Sequence, residues 1–221
     1  MHISRKARTA EALLLGILLF TGGCASSSKP RLSATAQAEA LSHFSLGLLA
    51  EAGGDSAAAL NHLESAIRLD PEEEKLYAPA VAVALKLEQT DTAVRLAQKL
   101  VKRYPESAGS QLLLARVYTL TGRPEQAEIL FKKAWRNFPD NPDTPSFLAR
   151  FYLSQNRRGE ALEVLRESLS AHSRNAGLLY LTGTLCIDRA RDADDAVQAK
   201  AAVQEGIGFL QQSLEIDPQD P

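Results

Sequence analysis

Cysteine is nearly absent from this chain: two occur among 221 residues, Cys24 and Cys186. No CxxC redox or metal motif exists. Because Cys24 takes a different chemistry below, Cys186 has no partner in the chain and a disulfide framework is excluded. Histidine is equally sparse, with His2, His43, His62 and His172. None of these forms HExxH or another ligand spacing, and His62 and Glu64, two apart, do not share a helical face. An excess of positive charge is also missing. Lys and Arg number 25 against 27 Asp and Glu, and without residues 1–23 the acids lead by four. Nucleic-acid binders carry a basic excess that displaces counterions from phosphate, so that class is disfavoured. There is no GxSxG, no GxxxxGK[ST] and no glycine-rich loop between a strand and a helix. The run Glu72-Glu73-Glu74 reads as the opening of a helix, where carboxylates suit the positive end of the dipole. These absences point away from an enzyme, a cofactor, a bound metal and a small-molecule substrate.

The apolar fraction of 45% is enough to bury a core. One apolar run stands apart. Arg5, Lys6 and Arg8 precede the stretch Ala12–Phe20, which is too short to span a hydrocarbon core that needs roughly 20 apolar residues as a helix. A positive segment, a short apolar segment and small residues behind them describe an export signal over residues 1–23. Thr21-Gly22-Gly23-Cys24 then resembles the lipobox of bacterial lipoproteins, with Thr21 where leucine is usual. The resemblance implies that Cys24 is acylated, and that the protein is anchored in the bacterial envelope. Ala25, being other than Asp, implies the outer membrane facing the periplasm. The alternative is ordinary cleavage near Gly23 or Ala25, which releases a soluble protein. Residues 24–32 read as a polar tether, and its eight residues 25–32 span about 16 Å root-mean-square, which keeps the body close to the bilayer.

From residue 33 onward a period of 34 runs through the chain. Pro71, Pro105 and Pro139 are spaced by 34, as are Ala59, Ala93, Ala127 and Ala161. Leu46, Ala80, Leu114 and Leu148 fall into the same register, and so do Tyr118 and Tyr152. Each unit holds two apolar-periodic stretches of helical length, such as 110–121 and 125–137, separated by a turn with Gly122 as the stop and Pro124 opening the next helix. Ala127 and Ala134 lie on one face and let paired helices approach, with Phe131 filling the groove between them. A lone pair cannot bury its apolar side, so successive pairs must stack. The expectation is an all-α solenoid of about five helix-turn-helix units, at 40–73, 74–107, 108–141, 142–175 and 176–220. Gly183 to Gly206 spans 23 residues where Gly47 to Ala59 spans 12, so the last unit carries an 11-residue insertion at 189–199. That insertion either lengthens the helices or projects as a loop. Ser33 is placed to cap the first helix. The chain closes on a repeat junction, Asp217-Pro218-Gln219-Asp220-Pro221, which suggests the front part of a longer protein.

This pattern resembles the tetratricopeptide repeat, W-x2-L-G-x2-Y, then A-x3-F, A and P. The unit at 108–141 matches it best, through Leu114, Tyr118, Ala127, Phe131, Ala134 and Pro139. The resemblance implies a right-handed superhelix whose first helices line a concave groove, with positions two, five, nine and twelve of each repeat turned into it. Here those positions include Lys75, Leu112, Arg116, Ser146, Arg150 and Tyr180. Arg116 and Arg150 share position nine of consecutive repeats and should lie side by side, able either to fork onto a partner's carboxylates or to pair with acids of their own chain. The carboxylate clamp of chaperone-binding members is absent, since Phe44, Leu48 and Pro79 stand at its positions. The implied partner is a protein or peptide segment held in the groove, with the membrane engaged through the lipid. The function expected is a scaffold for assembling an envelope complex, similar to type IV pilus pilotins or secretion and polysaccharide-export lipoproteins. Alternatives are the anchored front region of a longer enzyme or transport component, and a cytosolic adaptor if the first 24 residues are retained.

Overall fold

A computed structural model describes residues 33–191, 193 and 195–218. The export signal, Cys24 and the tether fall outside the described residues. Within them lie ten α-helices, no strands and one 3-10 turn: α1 (Ala34–Ala52), α2 (Ser56–Leu69), the turn Glu74–Leu76, α3 (Tyr77–Lys86), α4 (Thr90–Arg103), α5 (Ala108–Leu120), α6 (Pro124–Asn137), α7 (Asp143–Ser154), α8 (Arg158–Ala171), α9 (Ala176–Arg191) and α10 (Ala196–Ile216). Consecutive helices pair as α1/α2, α3/α4, α5/α6, α7/α8 and α9/α10, and each pair packs on the next. This is the stacked all-α solenoid that the period requires.

Several helices, α1, α2 and α5 among them, start where a short polar side chain satisfies a free backbone N–H group. Ser33 Oγ accepts from the Ala36 amide at 3.1 Å, Asp55 from Ala58 at 2.9 Å, and Ser107 from Ser110 at 3.2 Å. Within each of the first four pairs the turn holds one left-handed residue at the same register: Gly54, Glu88, Gly122 and Asn156, with φ of 85°, 59°, 72° and 58°. Glycine takes that conformation freely, asparagine tolerates it, and glutamate is strained in it. Relief of left-handed strain is worth about 1–2 kcal/mol and the added chain entropy of glycine costs about 0.5–1. Glu88→Gly should therefore raise stability by roughly 0.5–1 kcal/mol. Asn156→Gly should gain less, and chemical denaturation of the two variants against wild type checks both.

The alanines of the period sit where paired helices cross, and Ala59, Ala93, Ala127 and Ala161 are all fully buried. The loops between repeats are also fixed by polar side chains that reach back six residues to the proline after the preceding helix. Tyr77 donates to the Pro71 carbonyl at 3.0 Å and Gln111 Nε2 to that of Pro105 at 2.6 Å. These bonds satisfy carbonyls of the loops between repeats.

Leu46 departs from its register partners. Ala80, Leu114 and Leu148 are buried, but Leu46 is 44% exposed because α1 has no helix stacked before it among the described residues. The glutamate run also behaves differently from the sequence expectation. α3 opens at Tyr77, and only Glu73 caps a turn, the short 3-10 one, by accepting from the Lys75 amide at 3.3 Å. Glu74 is drawn off to accept a hydrogen bond from Ser107 Oγ at 2.6 Å, and Glu72 forms an ion pair with Arg103.

The last pair is long. α9 has 16 residues and α10 has 21, so the inserted residues extend both helices around a short connection. These two helices approach closely where two glycines face each other: a Cβ on Gly183 would lie 2.8 Å from the Gly206 carbonyl oxygen, and one on Gly206 2.7 Å from that of Gly183. Cys186 is buried beside this crossing, and burial pushes its thiol pKa up, as befits an inert core sulfur.

Candidate functional site

The odd-numbered helices of the middle repeats line a trough with two adjoining clefts. The first, of about 670 Å³, is walled by Arg116 and Leu120 of α5, Phe147, Arg150 and Phe151 of α7, and Leu181 of α9. The second, of about 700 Å³, runs from Glu72–Lys75 past Leu112 to α7. Arg116, Asp143 and Phe147 line both and form the saddle between them. The solenoid places them there because positions one helical turn apart on α5 and α7 face the same side of neighbouring, stacked helices.

Arg116 and Arg150 are thus brought into one cleft, both exposed. Neither forms an ion pair with an acid of its own chain among the described residues. The Arg116 guanidinium rests over the Phe147 ring, 5.5 Å from its centroid. This contact orients the group and leaves its donors free. Lys75 is exposed at the far end, beside Glu72, Glu73 and Glu74, in the second cleft rather than with the arginines. The trough is therefore polarised, acidic toward the second repeat and basic toward the fourth. Leu112 is 5% exposed and acts as floor, not as a contact free in the groove. Ser146 Oγ donates to the Pro142 carbonyl at 3.3 Å. Tyr180 is 43% exposed on α9 but lines neither cleft.

Sequence reasoning did not single out Phe147, Phe151, Leu120 or Asp143. Asp143 occupies position two of its repeat, so the same register rule that marked Lys75 would have found it. Phe147 and Phe151 read as core residues, and only the gap between α5 and α9 turns them toward a cleft. A second missed feature lies elsewhere: His43 Nδ1 and His62 Nδ1 are 3.0 Å apart across α1 and α2.

Outside the groove a charged knot locks the third repeat to the fourth. Arg157, at the start of α8, donates to Glu128 of α6 at 2.6 Å and also pairs with Glu160, while its guanidinium lies 4.5 Å from the Tyr152 ring centroid. Lys132 meets the same Glu128 at 2.6 Å. Hydrogen bonds from Arg157, joined by those from Lys132, pull the Glu128 carboxyl down to about 2 against the opposing effect of burial. A carboxylate whose folded pKa is lowered adds stability that is complete above its ordinary value and disappears as pH falls through the folded one. Glu128→Gln should lower the urea midpoint at pH 7, and the gap to wild type should close as pH is taken from about 4.5 toward about 2.

Three profiles of the tetratricopeptide repeat match the chain, at residues 40–73, 81–142 and 146–179, which together make up more than half of it. Among solved structures the chain is similar to TTC0263, a thermophilic TPR protein in Thermus thermophilus, at 21% identity and a TM-score of 0.55, covering 82% of this chain and 93% of that one. It is also similar to MamA protein, at 14% identity and a TM-score of 0.53, over 82% of this chain and 93% of that chain. At these identities the likeness shows the fold alone. No curated protein matches the chain.

Proposed function

The chain carries tetratricopeptide repeats, and on that premise we propose that it is a lipid-anchored scaffold that holds an extended segment of another protein during assembly of an envelope complex. The observation that carries this reading is the pair Arg116 and Arg150, without an ion pair among the described residues, in a cleft with aromatic and aliphatic walls. Two free guanidinium groups beside Phe147, Phe151 and Leu181 suit a segment that alternates acidic and apolar side chains. The carboxylates fork onto arginine, and the apolar groups leave water against the rings. The glutamates at the other end, which outnumber Lys75 beside them, set a direction for that segment through opposite charge. The anchor follows from the segment around Cys24, which would hold the array at the outer membrane, facing the periplasm, through two or more acyl chains. A pilus, secretion or polysaccharide-export apparatus is the kind of assembly that uses such a part.

A second reading, the anchored front region of a longer enzyme or transport component, is favoured by α10. Ile207 is 44% and Leu214 52% exposed, on one apolar face with the half-buried Leu210, where a further helix can pack.

The test is cross-linking in intact cells followed by membrane fractionation. The scaffold reading expects a membrane-complex protein joined to the wild type, and a Cys24→Ala variant that leaves the membrane fraction and loses that product. Equal function and equal fractionation of Cys24→Ala would sink the anchor, and recovery of no partner would sink the scaffold.

A further inference from the structure

Beyond the groove, the first repeat carries a feature that the 34-residue pattern does not require. His43, on the side of α1 that faces α2, and His62, on α2, approach with Nδ1 to Nδ1 at 3.0 Å and ring centroids 5.3 Å apart. They are 19 residues apart in sequence, and both are half-buried. We propose that this pair is a binding site for a borderline divalent transition-metal cation, Cu(II) above Ni(II) and Zn(II), which joins α1 to α2.

The chemistry rests on distance and donor type. Neutral imidazole nitrogen suits copper, nickel and zinc, and bonds them at about 2.0–2.1 Å. Two such bonds at angles between a right angle and the tetrahedral value hold their nitrogens roughly 2.9–3.4 Å apart, which brackets the separation found here. Without metal the contact is a hydrogen bond in which one Nδ1–H donates to the other nitrogen's lone pair; when the cation binds, that ring passes its Nδ1 proton through water to its own Nε2, so that both rings ligate as neutral Nε2–H tautomers. The two rings must tilt so that both lone pairs converge on one point. That is a side-chain adjustment at the edge of the α1/α2 interface, where both rings keep access to water. No further His, Cys, Asp or Glu completes a cluster of three among the described residues, so water fills the remaining positions. A two-imidazole site of this sort follows the Irving–Williams order, which puts Cu(II) first.

The consequence is local. α1 has no helix stacked before it among the described residues, and its packing rests mainly on α2. A cation bound by both helices in the folded state raises stability by mass action.

Purified full-length protein carrying His2→Ala and no polyhistidine tag is titrated with copper(II), nickel(II) and zinc(II) salts. One Cu(II) per chain is expected, with an upward shift in the melting temperature and nitrogen couplings from two imidazoles in the electron paramagnetic resonance spectrum. His43→Ala and His62→Ala should each lose the shift and the site, while His172→Ala keeps both. Binding that persists in His43→Ala and His62→Ala, no binding at all, or a wild-type spectrum showing a single imidazole would each overturn the proposal. The spectrum of the wild type decides the matter even where a variant fails to fold.

Discussion

Gly206→Ala should destabilise this protein while Gly208→Ala, two residues along the same helix, should stabilise it. The substitution is chemically identical, and in an unhindered helix interior it gains about 1 kcal/mol because alanine has the better helix propensity. A Cβ on Gly208 meets nothing within 4 Å, so that gain is realised. On Gly206 the same atom would sit 2.7 Å from the Gly183 carbonyl oxygen and 2.7 Å from Ile187 Cγ1. One of those neighbours is backbone and cannot swing away. Separating the helices costs about 1–3 kcal/mol, as overpacking does, and also loosens the pairing that buries Cys186 and Leu185. Gly206→Val enlarges the obstruction and should reach or exceed the top of that range. At about 2–4 °C per kcal/mol for a chain of this size, thermal unfolding separates the three variants. Equal shifts for Gly206→Ala and Gly208→Ala would mean that α9 and α10 do not cross at these two glycines.

Much of this architecture is readable before any coordinates. The alanines and prolines of the period recur because each has a local reason to be small or to end a helix, and such reasons survive translation by 34 residues. What resists reading is set by neighbours rather than by register. Leu46 has the same register position as Leu114, and it is exposed because no helix stacks before α1 among the described residues. Glu74 belongs to a helix-opening run by composition, yet Ser107 in the next repeat claims its carboxylate. In the groove, register was enough to place Arg116 and Arg150 together, but not to show that no acid of the described chain meets them. The aromatic walls were hidden because Phe147 and Phe151 look like core in one dimension. The His43–His62 contact follows no multiple of the period, so no repeat argument leads to it.

Charge reversal at both groove arginines, Arg116→Glu with Arg150→Glu, should remove partner binding and leave the helical content intact. Both side chains are exposed and bear no ion pair with the described part of the chain, so the fold does not depend on them. A hydrogen bond to a charged group is worth about 1.5–3 kcal/mol, and every 1.4 kcal/mol is tenfold in affinity. Loss of two such bonds weakens binding by at least roughly 100-fold, before the repulsion between the new glutamates and an acidic partner is counted. Arg116→Lys/Arg150→Lys keeps the charge but gives up the planar fork, and should fall between wild type and the reversed protein. Affinity capture from detergent-solubilised membranes compares the three.

In the scaffold the partner lies along the trough formed by α5, α7 and α9. Hydroxyl-radical footprinting of the captured complex tests it most directly. Occupancy predicts that Leu120 and Phe147 become protected, while Ile129, exposed on the outer helix α6, stays as reactive as in the free protein. Protection of Ile129 with Leu120 and Phe147 unchanged would put the partner on the convex side and contradict the claim.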